Sequence, residues 1–267
     1  MMKALYQSAF YPEELKAMVK IKLNQSKYER PKEPLETLAM NLDDKAFCYA
    51  ALSKVSRSFA VVIQQLPEEL KDPVCIFYLI LRALDTVEDD MELDEDKKLA
   101  LLSSFHQKSY DPDFRLTGIG DQHDYRVLLE HYHKVIRVFL TLDEKYQKVI
   151  EETCQKMAEG MIKYAEGKVE TYHDFDDYCY YVAGLVGIGL SGLFSASAIE
   201  SSKLQEETAL SNDMGLFLQK TNIIRDYHED LIAERLFWPS EHWTKYATTI
   251  DAFHKNPESE KSLLCLN

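Results

Sequence analysis

The stretch FYLILRALDTVEDDM, Phe77–Met91, joins an apolar run to a cluster of carboxylates. Asp85 and Asp89 are four residues apart, so a helix projects both from one face, with Glu88 beside them. Like charges at this spacing destabilise a helix by roughly 0.2 to 0.5 kcal/mol, which a solvated face tolerates. The apolar residues before Asp85 instead predict a helix buried on several sides. Carboxylates on such a helix indicate a bound cation.

The same pattern recurs in the stretch NIIRDYHED, which ends at Asp230. Asp226 and Asp230 are again four residues apart, Glu229 is adjacent, and the apolar segment MGLFLQKTNII leads into them. An arginine, Arg82 or Arg225, lies just N-terminal to the first aspartate of each motif. Two helices that carry these motifs could direct their carboxylates into a common cavity.

Carboxylate ligands suit Mg2+, which usually binds a few carboxylates, several waters and the phosphate oxygens of a substrate. Arginines add the charge-assisted, bidentate hydrogen bonds that a diphosphate needs. The two motifs therefore predict an apolar-walled cavity with a Mg2+-diphosphate site at its mouth. The predicted metal ligands are Asp85, Glu88, Asp89, Asp226 and Asp230.

Composition narrows the function classes. The 267 residues carry a formal net charge of -14, which argues against a nucleic-acid partner, since such binding needs a basic face. The five cysteines are an odd, scattered set without a C-x-x-C pair, so we expect reduced thiols in a reducing compartment. The first residues show no secretory signal.

Apolar residues recur at helical spacing along most of the chain, and strand-like alternation is scarce. Asp43 or Asp44 is a predicted N-cap, and Gly118 and Gly120 mark a loop. We expect one all-α domain over residues 1–267, a helical bundle with a central apolar cavity. Helices are predicted over Tyr11–Ser26, Phe47–Val62, Asp72–Leu84 and Tyr125–Gly160.

The stretch Tyr178–Ile199 has 22 residues without a charge, which is long enough to span a membrane. Its glycines indicate a different role, because glycine lets a backbone approach a neighbour or a bulky ligand closely. We therefore predict a buried central helix. The glycines are Gly184, Gly187, Gly189 and Gly192.

Four ordered blocks resemble the squalene synthases, the farnesyl-diphosphate farnesyltransferases of the squalene/phytoene synthase family. The resemblance covers nearly the whole chain and implies an isoprenoid-synthase-type bundle. A single D-x-x-x-D is a weak signal, whereas four blocks in the family's order are specific. The blocks are KVSRSFA from Lys54, LRALDTVEDDM from Leu81, YVAGLVGIGLS from Tyr181 and MGLFLQKTNIIRDYHED from Met214.

The resemblance also implies roles for single residues. It assigns catalysis to the motif aspartates and to Tyr181, as a proton acceptor or as an aromatic face that steadies a carbocation. Asn222 and Gln219 lie one and two turns from the second motif, where they could order water and phosphate or be ordinary polar helix residues. The implied substrate-binding residues are Ser56, Arg57, Ser58, Phe59, Arg82, Gln219, Asn222, Arg225 and Arg235.

The implied reaction uses Mg2+ and NADPH. Two farnesyl diphosphates condense to presqualene diphosphate, which is then reduced to squalene for sterol biosynthesis. Three alternatives stay open: a form that stops at presqualene diphosphate, a non-catalytic fragment that binds prenyl diphosphate, and a terpene cyclase-like enzyme with a fifteen-carbon product. The first would form no squalene, the second would form no product, and the third would form a smaller product.

Family members continue beyond the segment that matches this chain. The resemblance implies further catalytic helices, a basic segment linked to NADPH, and a C-terminal anchor in the endoplasmic reticulum membrane with the catalytic domain facing the cytosol. We expect the chain to be a C-terminally truncated form without the anchor, cytosolic and monomeric. It also departs from the family at Leu236, where Glu is common, and at Gly192, where Arg is frequent.

Overall fold

The computed structural model describes residues 30–56, 59–165, 169–201, 203–232 and 236–266, and these ranges contain helices and no strand. The predicted helix over Tyr11–Ser26 lies outside them. The all-α prediction is confirmed. In chain order the helices are α1 Leu35–Asn41, α2 Asp44–Val55, α3 Phe59–Ile63, α4 Glu68–Asp89, α5 Glu95–Lys108, α6 His123–Glu130, α7 Tyr132–Phe139, α8 Glu144–Ala165, α9 Tyr172–Cys179, a π-helical segment Tyr180–Gly184, α10 Leu185–Ala196, α11 Lys203–Glu206, α12 Thr208–Ile232, α13 Ser240–Trp243, α14 Asp251–Lys255 and α15 Glu260–Leu266.

Helix α2 begins as predicted but ends early. Asp43 is its N-cap, and the Asp43 side chain accepts the backbone N–H of Ala46 at 2.8 Å. The prediction of one continuous helix to Val62 is wrong, because Ser56 leaves the helical conformation. Its Oγ accepts the backbone N–H of Ala60 at 2.9 Å, a bond that competes with helix continuation.

Helix α4 carries the first acidic motif and begins at Glu68, four residues before the predicted start. The Pro67 carbonyl accepts the backbone N–H groups of Leu70 and Lys71, which begins the helix before Pro73. Pro73 therefore lies inside α4. The helix packs against α2, α5, α7, α8 and α10. This arrangement confirms the prediction of a helix buried on several sides. Its fully buried side chains include Leu79, Ile80, Ala83, Leu84 and Val87.

The central helical stretch, from α9 through the π-helical segment to α10, packs between α8 and α12 and also contacts α4. Among the described residues it is the one helix that is long and apolar enough to cross a membrane, judged by length and composition. Its packing on three neighbours confirms the predicted central position, whereas the predicted burial is only partial, since 33% of its apolar window is buried. A π-helical turn within an α-helix is frequent at functional sites.

Glycines bring α12 close to this central stretch. A Cβ atom on Gly187 would lie 2.4 Å from the Ser211 carbonyl oxygen, and one on Gly215 would lie 2.5 Å from the Ala183 carbonyl oxygen. Both neighbours are backbone atoms, which cannot rotate away. The predicted close approach therefore occurs between helices, and it sets the distance between α12 and the rest of the bundle.

Gly215→Ala should destabilise the protein by about 2 kcal/mol, because the new methyl group would push α12 away from Ala183. Gly192→Ala is the matched control, since its Cβ would meet only the Val149 methyl groups, at 3.2 and 3.5 Å. Urea unfolding of both variants measures the difference. Equal stabilities in the two variants would contradict the close-approach explanation.

Candidate active site

The candidate site lies at a small apolar cluster, separate from the main core, that joins α9 to α12. Its buried members are Val169, Tyr178, Cys179 and Ile223. The half-buried residues Tyr164, Phe175, Val182, Leu216, Phe237 and Trp238 pack around it. The cluster matters because the charges of the first acidic motif act on Tyr178 and because Phe237 borders the second motif, as described below.

The first motif pairs its leading aspartate with an arginine. Arg82 Nη1 lies 3.5 Å from Asp85 Oδ2, and the Asp85 side chain is 25% exposed. The pKa of Asp85 is raised to about 6, because burial and the charge of Asp89 together outweigh the opposing charge of Arg82. The guanidinium carbon of Arg82 lies 5.8 and 5.4 Å from the ring centres of Tyr78 and Tyr125. Arg82 is thus held rigidly beside the motif.

Asp90, the carboxylate directly after the first motif, has a structural role. Asp90 is 7% exposed and accepts three backbone N–H groups, from Glu92 at 2.9 Å, Leu93 at 3.0 Å and Gly120 at 2.6 Å. Gly120 has a φ of 115°, which favours glycine. Asp90 therefore ends α4 and ties the 117–120 loop to the motif helix, which leaves Asp85, Glu88 and Asp89 as the candidate ligands.

Asp90→Ala should lower the free energy of unfolding by about 3 kcal/mol, since it leaves buried backbone N–H groups without their charged acceptor. The control is Asp96→Asn at an exposed position in the first turn of α5, where we expect a change within about 0.5 kcal/mol. Denaturant unfolding measures both. Equal, small losses in both variants would show that Asp90 does not hold the loop.

The second motif repeats the arginine-aspartate pair. Arg225 donates two hydrogen bonds to Asp226, one from Nε and one from Nη2, each at 2.6 Å. Asp230 lines a narrow cleft with Tyr227, Phe237 and other apolar residues. In each motif a guanidinium group therefore compensates the first aspartate.

Other residues of α12 fit a mixed polar and apolar surface. Asn222 and Gln219 are half-buried one and two turns before the motif. The outward face of the helix carries exposed apolar side chains, which could contact an isoprenoid chain. These side chains are Leu210, Met214, Phe217, Leu218 and Ile224.

Tyr178 contacts the cleft of the second motif and is influenced by the charge of the first. Its ring stacks on Phe237 with a centroid separation of 4.8 Å and an interplanar angle of 16°, and Phe237 shares the cleft with Asp230. Burial raises the pKa of the Tyr178 hydroxyl well above its usual value, and the negative charges of Glu88 and Asp89 raise it further. Tyr178 therefore contacts Phe237 of the cleft beside α12 and is near enough to the carboxylates of α4 for their charge to act on its hydroxyl.

Tyr181, the catalytic tyrosine expected from the resemblance, faces α8 instead. A Cβ atom on Gly160 would lie 2.2 Å from Tyr181 Cγ, so the ring covers this glycine. Lys163 Nζ lies 5.6 Å from the ring centre. The run YCYY offers several tyrosines within one helical turn, and sequence spacing alone could not choose between Tyr178 and Tyr181.

The S-R-S-F block approaches the first motif through Tyr78. Phe59 is 57% exposed, and its ring centre lies 6.0 Å from that of Tyr78. Tyr78 also accepts a hydrogen bond from Arg82 at 3.5 Å, whereas Ser56 is buried and caps α3. Phe59 and Arg82 therefore share a neighbour. Three predicted residues lie outside the described part of the chain: Arg57, Ser58 and Arg235.

The side chains fit a metal that needs substrate oxygens to complete its shell. Within the described ranges, no three Asp, Glu, His or Cys side chains converge tightly enough to hold a metal by themselves. Mg2+ does not require that, because waters and phosphate oxygens fill most of its six positions. The buried Arg82 Nε also has no hydrogen-bond partner among the described residues, which fits an anionic ligand at this position.

Comparison with known proteins agrees with these features. The model of the squalene/phytoene synthase family matches residues 52–266. Squalene synthase BSS of Botryococcus braunii is 52% identical over 229 residues, which are 84% of this chain and 50% of that protein. The squalene synthase of Bos taurus is 45% identical over 257 residues, 96% of this chain and 60% of that protein. The chain thus spans about half to three fifths of the length of these relatives.

Solved structures show the same architecture. The complex of TcSQS with the ligand BPH1237 has a TM-score of 0.81 and 49% identity, over 84% of this chain and 66% of that chain. A dehydrosqualene synthase in complex with a ligand has a TM-score of 0.60 over 87% of this chain and 73% of that chain. At 21% identity, the second likeness shows the fold alone.

Proposed function

Because the chain belongs to the squalene/phytoene synthase family, we propose that it acts as a squalene synthase. The reaction joins two farnesyl diphosphates head to head into presqualene diphosphate and then reduces this intermediate to squalene. The observation that supports the proposal is the setting of Tyr178, whose pKa the charges of the α4 carboxylates raise and whose ring stacks on Phe237, which lines a cleft with Asp230. One aromatic hydroxyl would thereby serve both acidic motifs.

The motif residues would bind the diphosphates. Asp85, Glu88 and Asp89 on α4 and Asp226 and Asp230 on α12 would hold Mg2+, which when bound neutralises the charge of the departing diphosphate. Arg82 and Arg225 pair with the first aspartate of each motif. Diphosphate oxygens would compete for these guanidinium groups and orient the leaving group. Gln219 and Asn222 would order water and phosphate near the second motif.

Tyr178 would act on the hydrocarbon part of the reaction. Its hydroxyl is protonated, since burial and the nearby carboxylates raise its pKa, so it would relay the proton lost when the cyclopropyl intermediate forms by passing its own proton to an acceptor such as the departing diphosphate. Its ring face can steady a neighbouring carbocation. The apolar cluster around it excludes water, which would otherwise capture the cation as an alcohol.

The second half-reaction needs a hydride donor. NADPH supplies that hydride when bound, and the S-R-S-F block with Phe59 is the proposed nicotinamide side of the cavity. The resemblance further supports a place in sterol biosynthesis at the cytosolic face of the endoplasmic reticulum membrane. We propose a monomer built from one helical domain over residues 1–267.

A product assay tests the proposed function. The folded protein, checked by circular dichroism, is incubated with farnesyl diphosphate and Mg2+, with and without NADPH. We expect presqualene diphosphate without NADPH and squalene with it. The same products under both conditions would place the activity at the first half-reaction alone, a fifteen-carbon product would indicate a cyclase, and no consumption of substrate would overturn the proposal.

A further inference from the structure

Tyr178 is held from a second side by Tyr164 of α8. The two ring centres are 5.6 Å apart at an interplanar angle of 79°, an edge-to-face contact that stabilises both rings. Phe237 stacks on Tyr178 as well. A stacked ring alone can slide along the face that it covers, whereas an edge-on ring adds a second, perpendicular constraint. Tyr164 thus restricts the direction in which the Tyr178 hydroxyl points.

Asp177, the residue directly before Tyr178, fixes Tyr164 in this position. Asp177 Oδ2 accepts a hydrogen bond from Tyr164 Oη at 2.7 Å and one from Lys163 Nζ at 2.6 Å. Burial opposes ionisation of Asp177, but these two hydrogen bonds outweigh it and lower its pKa. The carboxylate therefore stays charged and is a strong acceptor for the Tyr164 hydroxyl.

Lys163 joins the same network through its position above two rings. Its Nζ lies 5.3 Å from the ring centre of Tyr164 and 5.6 Å from that of Tyr181. The ammonium group compensates Asp177 and is attracted to the Tyr164 face. Two adjacent residues of α8 are thus bonded to the residue that precedes Tyr178 on α9. The α8 residues therefore restrain Tyr178 twice, through the hydrogen bonds to the preceding residue and through contact with its ring.

We propose that Tyr164 is a positioning residue for Tyr178, held in place by the hydrogen bonds that Asp177 accepts from Lys163 and Tyr164. The inference deepens the proposed function and rests on the role of Tyr178 in it. Tyr164 touches the Tyr178 ring and not the reacting atoms, so its effect is on the orientation of the hydroxyl. Loss of the Tyr164 hydroxyl frees the Tyr164 ring and, through it, the Tyr178 ring.

The test reads the Tyr178 ring directly. With 3-fluorotyrosine incorporated at position 178, the fluorine resonance is compared between the otherwise unchanged protein and Tyr164→Phe, which removes only the hydroxyl. We expect a displaced and broadened resonance, because the ring gains freedom. Asp177→Asn, which keeps an acceptor but loses the charge, should give a smaller displacement. With farnesyl diphosphate, kcat of Tyr164→Phe should fall about tenfold with little change in KM.

Tyr110→Phe is the matched control. Tyr110 also donates its hydroxyl to a carboxylate, Glu151 at 2.8 Å, and also meets an aromatic ring edge-on, Phe139 at 5.3 Å. Loss of the Tyr110 hydroxyl should leave the position and width of the fluorine resonance at residue 178 unchanged. An unmoved resonance in Tyr164→Phe, or an equal displacement in Tyr110→Phe, would overturn the proposal. The resonance needs no substrate, so absence of product would count against the proposed function alone.

Discussion

Replacing Asp85 by asparagine should lower the rate of Mg2+-dependent farnesyl diphosphate turnover about a thousandfold. Asparagine keeps the shape of the side chain, but it lacks the negative charge that a Mg2+ ligand supplies. The measurement is kcat at saturating Mg2+ and substrate, with circular dichroism to verify the helical content. Asp230→Asn should have a similar effect if both motifs bind metal for the same reaction.

The same substitution should not destabilise the metal-free protein at neutral pH. Burial raises the pKa of Asp85 to about 6, whereas an unfolded chain has an aspartate pKa of about 4. A carboxyl group with a raised pKa stabilises the folded chain below about pH 4, and this contribution disappears as pH rises through about 6. Unfolding free energies measured across this range should fall in the wild type and stay flatter in Asp85→Asn.

Asp113→Asn is the control for both measurements. The Asp113 side chain is 87% exposed and pairs only loosely with Arg137, at 3.4 Å, so neutralising it should change neither turnover nor the pH dependence of stability. Normal turnover by folded Asp85→Asn and Asp230→Asn proteins would remove the Mg2+ interpretation of the two motifs. A parallel loss of helical content would instead assign these residues to the fold.

Tyr178→Phe should lower kcat about a hundredfold, because it removes the hydroxyl whose pKa Glu88 and Asp89 raise while keeping the stacked ring. Tyr181→Phe is the matched variant, and it should lower kcat by less than about threefold if its ring only packs against α8. Both variants retain their aromatic contacts, so their stabilities should remain close to that of the wild type.

Single-turnover measurements on the two tyrosine variants separate proton transfer from substrate binding. A lower rate with an unchanged KM in Tyr178→Phe is the expected pattern. The opposite ranking, with Tyr181→Phe the slower variant, would return the catalytic role to the residue that the family resemblance indicates. Equal, small effects would leave both hydroxyls outside the chemistry.

The exposed apolar face of α12 bears on how the chain holds its substrates. Phe217 and Leu218 are 65% and 50% exposed, and they lie on the helix that also carries Gln219 and the second motif. A farnesyl chain bound with its diphosphate at Asp226 and Asp230 could cover part of this face, and burial of apolar surface would then contribute to binding. The face is thus consistent with the proposed substrate.

The sequence by itself determined the all-α class, the two acidic motifs and the central glycine-rich helix. These features depend on short-range spacing: carboxylates four residues apart share a helix face whatever surrounds them, and an apolar lead-in identifies the buried side. The arginine before each motif is also a short-range feature of the sequence. Its contact with the first aspartate, Asp85 or Asp226, follows from a separation of a few residues.

Only the tertiary structure decided which of several equivalent residues meets a distant partner. Asp89 and Asp90 are neighbours in the sequence, yet Gly120 from a remote loop takes Asp90 as its acceptor. Tyr178 differs from Tyr181 through the position of α4 and of Phe237, neither of which local periodicity encodes. Helical period is a property of adjacent residues, whereas partner choice depends on how separate helices pack, and that packing arises only when the whole chain folds.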